Sequence, residues 1–474
     1  MGRLRIAACF CCLLACLPPA LVRHTARAGA PRAVDKPTAT SELPETPAGK
    51  QLAALLAAVN TGKADVLRKF HSDHFSEDSL KRWPAEARTR FWLEHHYANG
   101  GFDTDRVEKS TEGEIIILAR GRISEDWLRF SVTVEANPPH RITQVGFFII
   151  DPPADALTSG KRLTEAEVLQ KLRVYLDKMA AADLFSGVVL VAKDGKPIFR
   201  RPYGLASQAY SVPNRVDTKF NVASINKMFT AVAVAQLAQA GKLSFQDRLV
   251  EILPDYPKKE VAEKITIHHL LTHTSGMGDC LDNLRFLPSK EKIRRVRDYF
   301  PLFVDDPLAF EPGEKFKYSN VGFIVLGAVI ERVSGQDYFE YVREHIFKPA
   351  GMRATDFYEL DRDTPNLAIG YELRLVNDRP VLLNNTHLLP LRGCPAGLGY
   401  STADDLLRFD VALRGYKLLD ERHTRMVLEG KVDRGAGGSG RSKYAYGFFD
   451  GVVNGQRIVE HGGGFVGIDT SFDM

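Results

Sequence analysis

Apolar residues crowd every face of one stretch, Phe220 to Gly241. Met228, Phe229, Ala231, Val232, Val234, Ala235, Leu237 and Ala238 follow one another almost without charge. A helix that is apolar all round belongs inside a domain. The residues before it, Phe220 to Ala223, read as the end of a strand with a sharp entry near Ser224, where the helix is expected to begin. Asn320 to Ser334 is a second apolar helix, closed by Gly335. Tyr338 to Phe347 and Ala403 to Leu413 carry further helical patterns. Ser186 to Lys193 and Pro197 to Tyr203 are strand-like and joined by Asp194-Gly195, a hairpin signal. Asp247 to Leu253 and Ile265 to Ile267 are short elements before a helical segment, His268 to Gly276. Tyr446 to Phe449, Gln456 to Glu460 and Gly467 to Phe472 read as closing strands. Arg434 to Ser442 is glycine-rich and reads as a mobile loop.

The N-terminal third has a different rhythm. Leu52, Leu55, Leu56 and Val59 share a helix face, and Asn60-Thr61-Gly62 turns the chain. A second helix carries Val66, Leu67 and Phe70, and a third runs from about Ala87 to His96. Three strand-like runs follow: Glu114 to Arg120, Trp127 to Glu135 and Arg141 to Ile150. Their Ile, Val and Phe content and turn-rich breaks fit an antiparallel sheet. Helices first and strands after is similar to the nuclear-transport-factor-2-like cone, which implies an accessory or packing domain over residues 48–153. His95 and His96 beside Tyr97 read as surface or core groups. Pro152-Pro153 closes this domain, and a helix from Thr164 to Ala182 opens the next, 164–474.

Length and composition add bounds. The chain has 474 residues, 44% of them hydrophobic, enough for two or three domains. Its net charge is +4 with basic residues scattered, so no nucleic-acid footprint is expected. No internal run is long enough to span a bilayer. Arg3 and Arg5 precede the apolar run Ile6 to Val22, and Ala26-Arg27-Ala28 offers a cleavage site. Residues 1–28 are therefore expected to be a signal peptide and 29–47 a flexible linker, with export to the periplasm or the exterior. Leu13-Leu14-Ala15-Cys16 resembles a lipobox, so a lipid anchor at Cys16 is an alternative, and an uncleaved membrane anchor a third. Four of the six cysteines fall in that segment, leaving Cys280 and Cys394 with their pairing open.

Candidate chemistry sits at three places. Ser224-Ile225-Asn226-Lys227 sets an amine one turn from a hydroxyl, since residues three apart are helix neighbours. A serine is a weak nucleophile until a base takes its proton, and the amine can do so only when neutral. Burial pushes a lysine that way. Alone the pattern is weak: Ser289-Lys290-Glu291-Lys292 repeats it on a charged segment. Tyr318-Ser319-Asn320 comes second, at the mouth of a helix. Tyr318 could serve as a base if Lys227, Lys315 and Lys317 lower its pKa, and Asn320 could orient Lys227 and bind a substrate amide. His461-Gly462-Gly463-Gly464 comes third, after a strand-like run. Its glycines would let a substrate backbone lie close. Backbone N–H groups of Ser224 and about Gly464 could form an oxyanion hole. His268, His269 and His273 invite a metal reading, but Leu270 stands where a metalloprotease helix needs its glutamate. Neither a metal nor a cofactor is expected.

With these three motifs in order, residues 165–474 resemble the penicillin-recognising serine hydrolases of the class C β-lactamase type. That family includes D-alanyl-D-alanine carboxypeptidases, β-lactamases and esterases. The framing text agrees: ITIHHLLTHTSGM at 265–277, FKYSNVGFIVLGAVIERVSG at 316–335 and GYSTADDLLRF at 399–409. The resemblance implies an α+β fold, an antiparallel sheet flanked by helices with an all-helical region, preceded by the small α+β domain. It implies Ser224 as nucleophile and Lys227 and Tyr318 as general base and acid. Asn320, His461, Gly462, Gly463 and Gly464 become substrate-binding residues. Tyr97-Ala98-Asn99 repeats the Tyr-x-Asn pattern in the wrong domain.

Two departures shape the expectation. His461 stands where many β-lactamases have a lysine, and a mostly neutral histidine draws a carboxylate less. That favours an ester or peptide substrate over a β-lactam. The family also has two more strands and a helix after the His-Gly-Gly strand, so the domain is expected to lack its last elements and to expose a sheet edge. The reading is thus an exported serine hydrolase acting on a small-molecule, peptide or ester substrate through an acyl-enzyme. Its rival is a catalytically silent relative with a binding or cell-wall-associated role.

Overall fold

The computed structural model describes residues 43–150, 152–153, 156, 163–281, 285–434, 442–453 and 455–474. The signal-peptide, Cys16 and most of the linker expectations lie outside these residues, as does the glycine-rich run 435–441. The described chain forms two compact units. One takes 43–186 together with Tyr371–Leu383; the other takes Gly187–Gly370 and Asn384–Met474.

The first unit is four helices and a four-stranded sheet. Helix Pro47–Asn60 starts where Thr46 accepts from the Gly49 N–H at 3.2 Å, with proline in the first turn. Helices Ala64–His74, Glu77–Arg82 and Ala85–Asn99 follow. The sheet is an antiparallel meander of Phe102–Ser110, Glu114–Gly121, Trp127–Val134 and Ile142–Ile150. Sequence reading expected three of these strands. The missed one, FDTDRVEKS, has too few apolar positions to announce itself and is held by its pairing to Glu114–Gly121. Leu52, Leu55, Val59, Trp92 and Leu93 bury against Ile115, Ile117, Phe130 and Val132. His95 belongs to this core, its ring 4.4 Å from that of Phe147. Asn99 bonds His95 and Ser124, so Tyr97-Ala98-Asn99 is structural.

Two further pieces join this unit. Helix Glu165–Ala181 begins with a reciprocal cap between Thr164 and Glu167, and Tyr175 donates to the Ser124 carbonyl at 2.9 Å. The hairpin Tyr371–Val376 and Arg379–Asn384, not foreseen from sequence, turns at Asn377 and Asp378, with φ of 49° and 60°. Its Leu375 packs on the unit's core, and its Asp378 pairs with Arg68.

The second unit is built on helix Asn226–Gln239, whose residues Asn226 to Ala235 are all buried. Helix Asn320–Ser334 packs beside it, started by the Ser319 hydroxyl accepting from the Gly322 N–H and stopped by Gly335 at φ 73°. Helix Ala403–Arg414 is capped by Thr402. Strands Gly187–Lys193 and Lys196–Tyr203 form the expected hairpin through Asp194 and Gly195. Strand Phe220–Ala223 pairs with Gly399–Ser401. A five-stranded antiparallel sheet runs Val432–Asp433, Ser442–Tyr444, Phe449–Val453, Gln456–Phe465 and Ile468–Asp473.

Two expectations are corrected here. Tyr446 to Phe448 is a turn, and the strand starts at Phe449. Gly447 takes φ 76°, and a Cβ there would stand 2.8 Å from the Lys227 carbonyl, so this turn is pressed onto the central helix. The His-Gly-Gly-Gly run lies inside strand Gln456–Phe465 rather than after it. Its backbone is paired residue by residue with Ile468–Asp473.

Candidate active site

Ser224 stands two residues before helix Asn226–Gln239, not on its first turn. Ala223, just before it, has φ 43°, a left-handed value that alanine adopts at a cost. Local bonds hold this entry: Ala223 N–H donates to Asn221 Oδ1 at 2.9 Å, Ile225 N–H to the Val222 carbonyl at 3.1 Å and Lys227 N–H to the Ser224 carbonyl at 3.0 Å. Leu398 N–H, just before the paired strand Gly399–Ser401, donates to the Ala223 carbonyl at 3.1 Å. The result presents Ser224, half-buried, at the rim of a helix whose first ten residues are buried.

Lys227 is 0% exposed. Its Nζ lies 3.0 Å from Ser224 Oγ, 2.7 Å from Asn320 Oδ1 and 2.5 Å from the Ala396 carbonyl. Burial drives its pKa down to about 7, opposed by the nearby Cys394, Asp279 and Cys280. A neutral amine has two N–H groups and one lone pair. Asn320 Oδ1 and the Ala396 carbonyl can only accept, so they take the two hydrogens. The lone pair is left for the one partner able to donate, the Ser224 hydroxyl.

Asn320 is oriented from its other side. Its Nδ2 donates to Asp279 Oδ2 at 2.6 Å, which turns its oxygen toward Lys227. Sequence reading named Asn320 but missed Asp279 and Ala396, which lie 41 and 76 residues from it and carry no motif of their own. Tyr318 lies with its ring centroid 4.7 Å from Lys227 Nζ. The structure thus brings Ser224, Lys227, Tyr318 and Asn320 together.

His461 is placed differently from a substrate-facing lysine. It is 1% exposed, its Nδ1 donating to the Gly462 carbonyl at 2.6 Å and its Nε2 facing the Tyr444 hydroxyl at 3.2 Å. Burial, with Lys227 nearby, lowers its pKa to about 3. It is neutral and adds no cation to the cleft. Gly463 serves the protein's own backbone: a Cβ there would stand 2.2 Å from the Val222 carbonyl and 2.3 Å from Thr470 Oγ1. Thr470 Oγ1 lies 3.1 Å from both the Val222 and the Gly463 carbonyls, its single hydrogen shared between the two strands. Gly462 has no such neighbour closer than 3.7 Å, and Gly464 is exposed. Gly463→Ala is therefore expected to part the two strands, lower the melting temperature and cut turnover at Ser224 at least tenfold, whereas Gly462→Ala leaves the melt unchanged. Thermal melts and ester kinetics on the pair check this.

The remaining candidates sort as structural. Helix Ile267–Leu271 ends before His273, which has φ 58°, so His269 and His273 share no helix face. Among the described residues no group of three His, Cys, Asp or Glu could hold a metal ion. Cys280 and Cys394 are both buried, with no disulfide between them. Ser289 and Lys292 lie on a short helix and a 3-10 turn at the surface. No helix among the described residues is long and apolar enough to cross a membrane.

Comparison with known proteins supports the same region. The family model described as Beta-lactamase matches residues 173–471. Penicillin-binding protein 4* of Bacillus subtilis is 30% identical over 313 residues, covering 63% of this chain and 67% of that protein. The crystal structure of a penicillin binding protein from Bacillus halodurans superposes with a TM-score of 0.55 at 34% identity, covering 61% of this chain and 87% of that one. An octameric penicillin-binding protein homologue from Pyrococcus abyssi gives 0.54 at 25% identity, covering 64% and 68%.

Proposed function

The chain belongs to the beta-lactamase family of serine hydrolases, and from that premise we propose that it is an exported acyl hydrolase that cleaves an ester or amide through an acyl-enzyme on Ser224. The observation that carries the reading is the set of partners around Lys227 Nζ, which reserves its lone pair for the Ser224 hydroxyl. Ser224 Oγ attacks the substrate carbonyl as its proton passes to Lys227. The Tyr318 phenol, beside the same amine, shares the transfers by protonating the leaving alkoxide or amine. Water then attacks the acyl-enzyme and gives a proton to the same pair, which passes it to Ser224 Oγ as the acyl C–O bond breaks and the acid leaves. Backbone N–H groups at Ser224 and near Gly464 are the candidates to hold the oxyanion. Export rests on the basic, then apolar, then small-residue pattern of residues 1–28.

The substrate class follows from charge. His461 is neutral, and the Asp279 carboxylate stands behind Asn320. A substrate anchored by its own carboxylate, as a penicillin or a C-terminal peptide is, gains little attraction there. Neutral esters and amides suit the site better. A panel of p-nitrophenyl esters, nitrocefin and D-Ala-D-Ala peptides, run beside labelling by a fluorophosphonate, tests this. Ester turnover with Ser224-dependent labelling supports the proposal. A folded protein that neither labels nor turns over any of them would sink it in favour of the silent relative.

The pH profile gives an independent check. Only neutral Lys227 can take the serine proton, and its pKa is lowered to about 7 by burial. The rate constant kcat/KM is expected to fall about tenfold per pH unit below pH 7 and to level above it. A profile flat down to pH 5 would remove Lys227 from the base role.

A further inference from the structure

We infer that His273 is the positioning residue for Tyr318, a clamp that fixes the attitude of the phenol without itself touching substrate. The inference rests on the reading of Tyr318 as a proton-transfer group. Three contacts converge on that tyrosine. The His273 carbonyl accepts from the Lys317 N–H at 2.9 Å, and its Nδ1 accepts from the Ser319 N–H at 3.0 Å. The residues either side of Tyr318 are thus bound to one histidine. The imidazole also lies against the Tyr318 ring, centroids 4.3 Å apart and inclined by 34°.

The clamp is itself rigidly held. His273 is 1% exposed and its ring meets Tyr444 at 4.5 Å and Phe323 at 5.1 Å. Because Nδ1 accepts, the ring proton is on Nε2, which fixes the tautomer. Burial keeps the imidazole neutral, so Nδ1 retains its lone pair. The backbone at φ 58° is left-handed, a region where asparagine, aspartate and histidine are enriched. A left-handed residue can aim its carbonyl and its side chain at two nearby amides two residues apart. Both are used here on one segment, Lys317 to Ser319. The same segment begins helix Asn320–Ser334, so Asn320 inherits the placement.

The test contrasts two polar replacements. In His273→Asn the side-chain oxygen falls near the position of Nδ1 and the left-handed backbone is tolerated. In His273→Gln the oxygen lies one methylene too far. With a p-nitrophenyl ester, His273→Gln is expected to lower kcat at least tenfold with KM within twofold, and His273→Asn to stay within threefold of the parent. In a Tyr318→Phe background the His273→Gln change is expected to cost less than twofold, because its route to the reaction is gone. Equal activities of the two variants, or a tenfold cost that persists without the phenol, would overturn the inference. Hydrogen–deuterium exchange of the peptide spanning 316–320 reads the clamp without turnover: protected in the parent and in His273→Asn, and faster in His273→Gln. If the parent shows no Ser224-dependent activity, the proposed function falls, and the exchange experiment still decides whether His273 holds this segment.

Discussion

Ser224→Ala is expected to abolish covalent labelling by a fluorophosphonate and to lower ester kcat by on the order of 10⁴-fold or more, while leaving the melting temperature level or slightly raised. The size follows from the role: removing a nucleophile removes the acyl-enzyme route entirely, and what remains is binding and oxyanion stabilisation. The sign on stability follows from the site. Ser224 sits behind Ala223 in a left-handed backbone and offers its hydroxyl to a buried amine. Functional groups held in such strained entries are commonly stabilised when their chemistry is deleted. The measurement is a labelling gel, an ester assay and a thermal melt on one preparation. Retained labelling in the variant would place the nucleophile elsewhere.

How far this site could be read from sequence depends on how local each cause is. Helix Asn320–Ser334 was legible to the residue because its start signal, Ser319, and its stop, Gly335, are adjacent to it. The helix at Ala403 was legible for the same reason, through Thr402. The Ser224–Lys227 pairing was legible because three-residue spacing is short-range. The strand Phe102–Ser110 was not, since its partner rather than its composition makes it extended. Tyr446 to Phe448 misled because two aromatic residues flank a glycine whose conformation is set by the central helix beneath it. His273 draws notice in sequence only through its spacing from His268 and His269; its hydrogen bond to Ser319 spans 46 residues and leaves no local trace. Asp279 and the Ala396 carbonyl belong to the same class. Gly463 was read as clearance for a substrate, yet its bare face is occupied by Val222.

The strongest consequence of burying Lys227 is that its removal should separate rate from stability along the pH axis. Lys227→Met keeps the length and the packing against helix Asn320–Ser334 but deletes the base. Turnover is expected to fall on the order of 10³-fold or more, and the limb near pH 7 to vanish from any residual profile. Stability responds with a defined sign. The folded-state pKa, about 7, is below the unfolded value of 10.5. Between those values the unfolded chain holds a proton at this lysine that the folded chain does not. Raising the pH through this window removes that advantage of the unfolded state, so parental stability relative to the methionine variant rises by about 1.4 kcal/mol per pH unit. Below pH 7 both states hold the proton, and the difference is flat at its least favourable value for the parent. There the buried ammonium still has three acceptors, whereas methionine leaves Asn320 Oδ1 and the Ala396 carbonyl without their donor. Urea unfolding of parent and variant at pH 6.5, 7.5, 8.5 and 9.5 reads the term, since titrating groups remote from Lys227 cancel in the difference and His461, with its pKa lowered to about 3, stays neutral throughout. A difference that stays level from pH 7 to pH 10 would mean the lysine keeps its ordinary pKa in the fold. The lone pair assigned to Ser224 would then not exist at neutral pH.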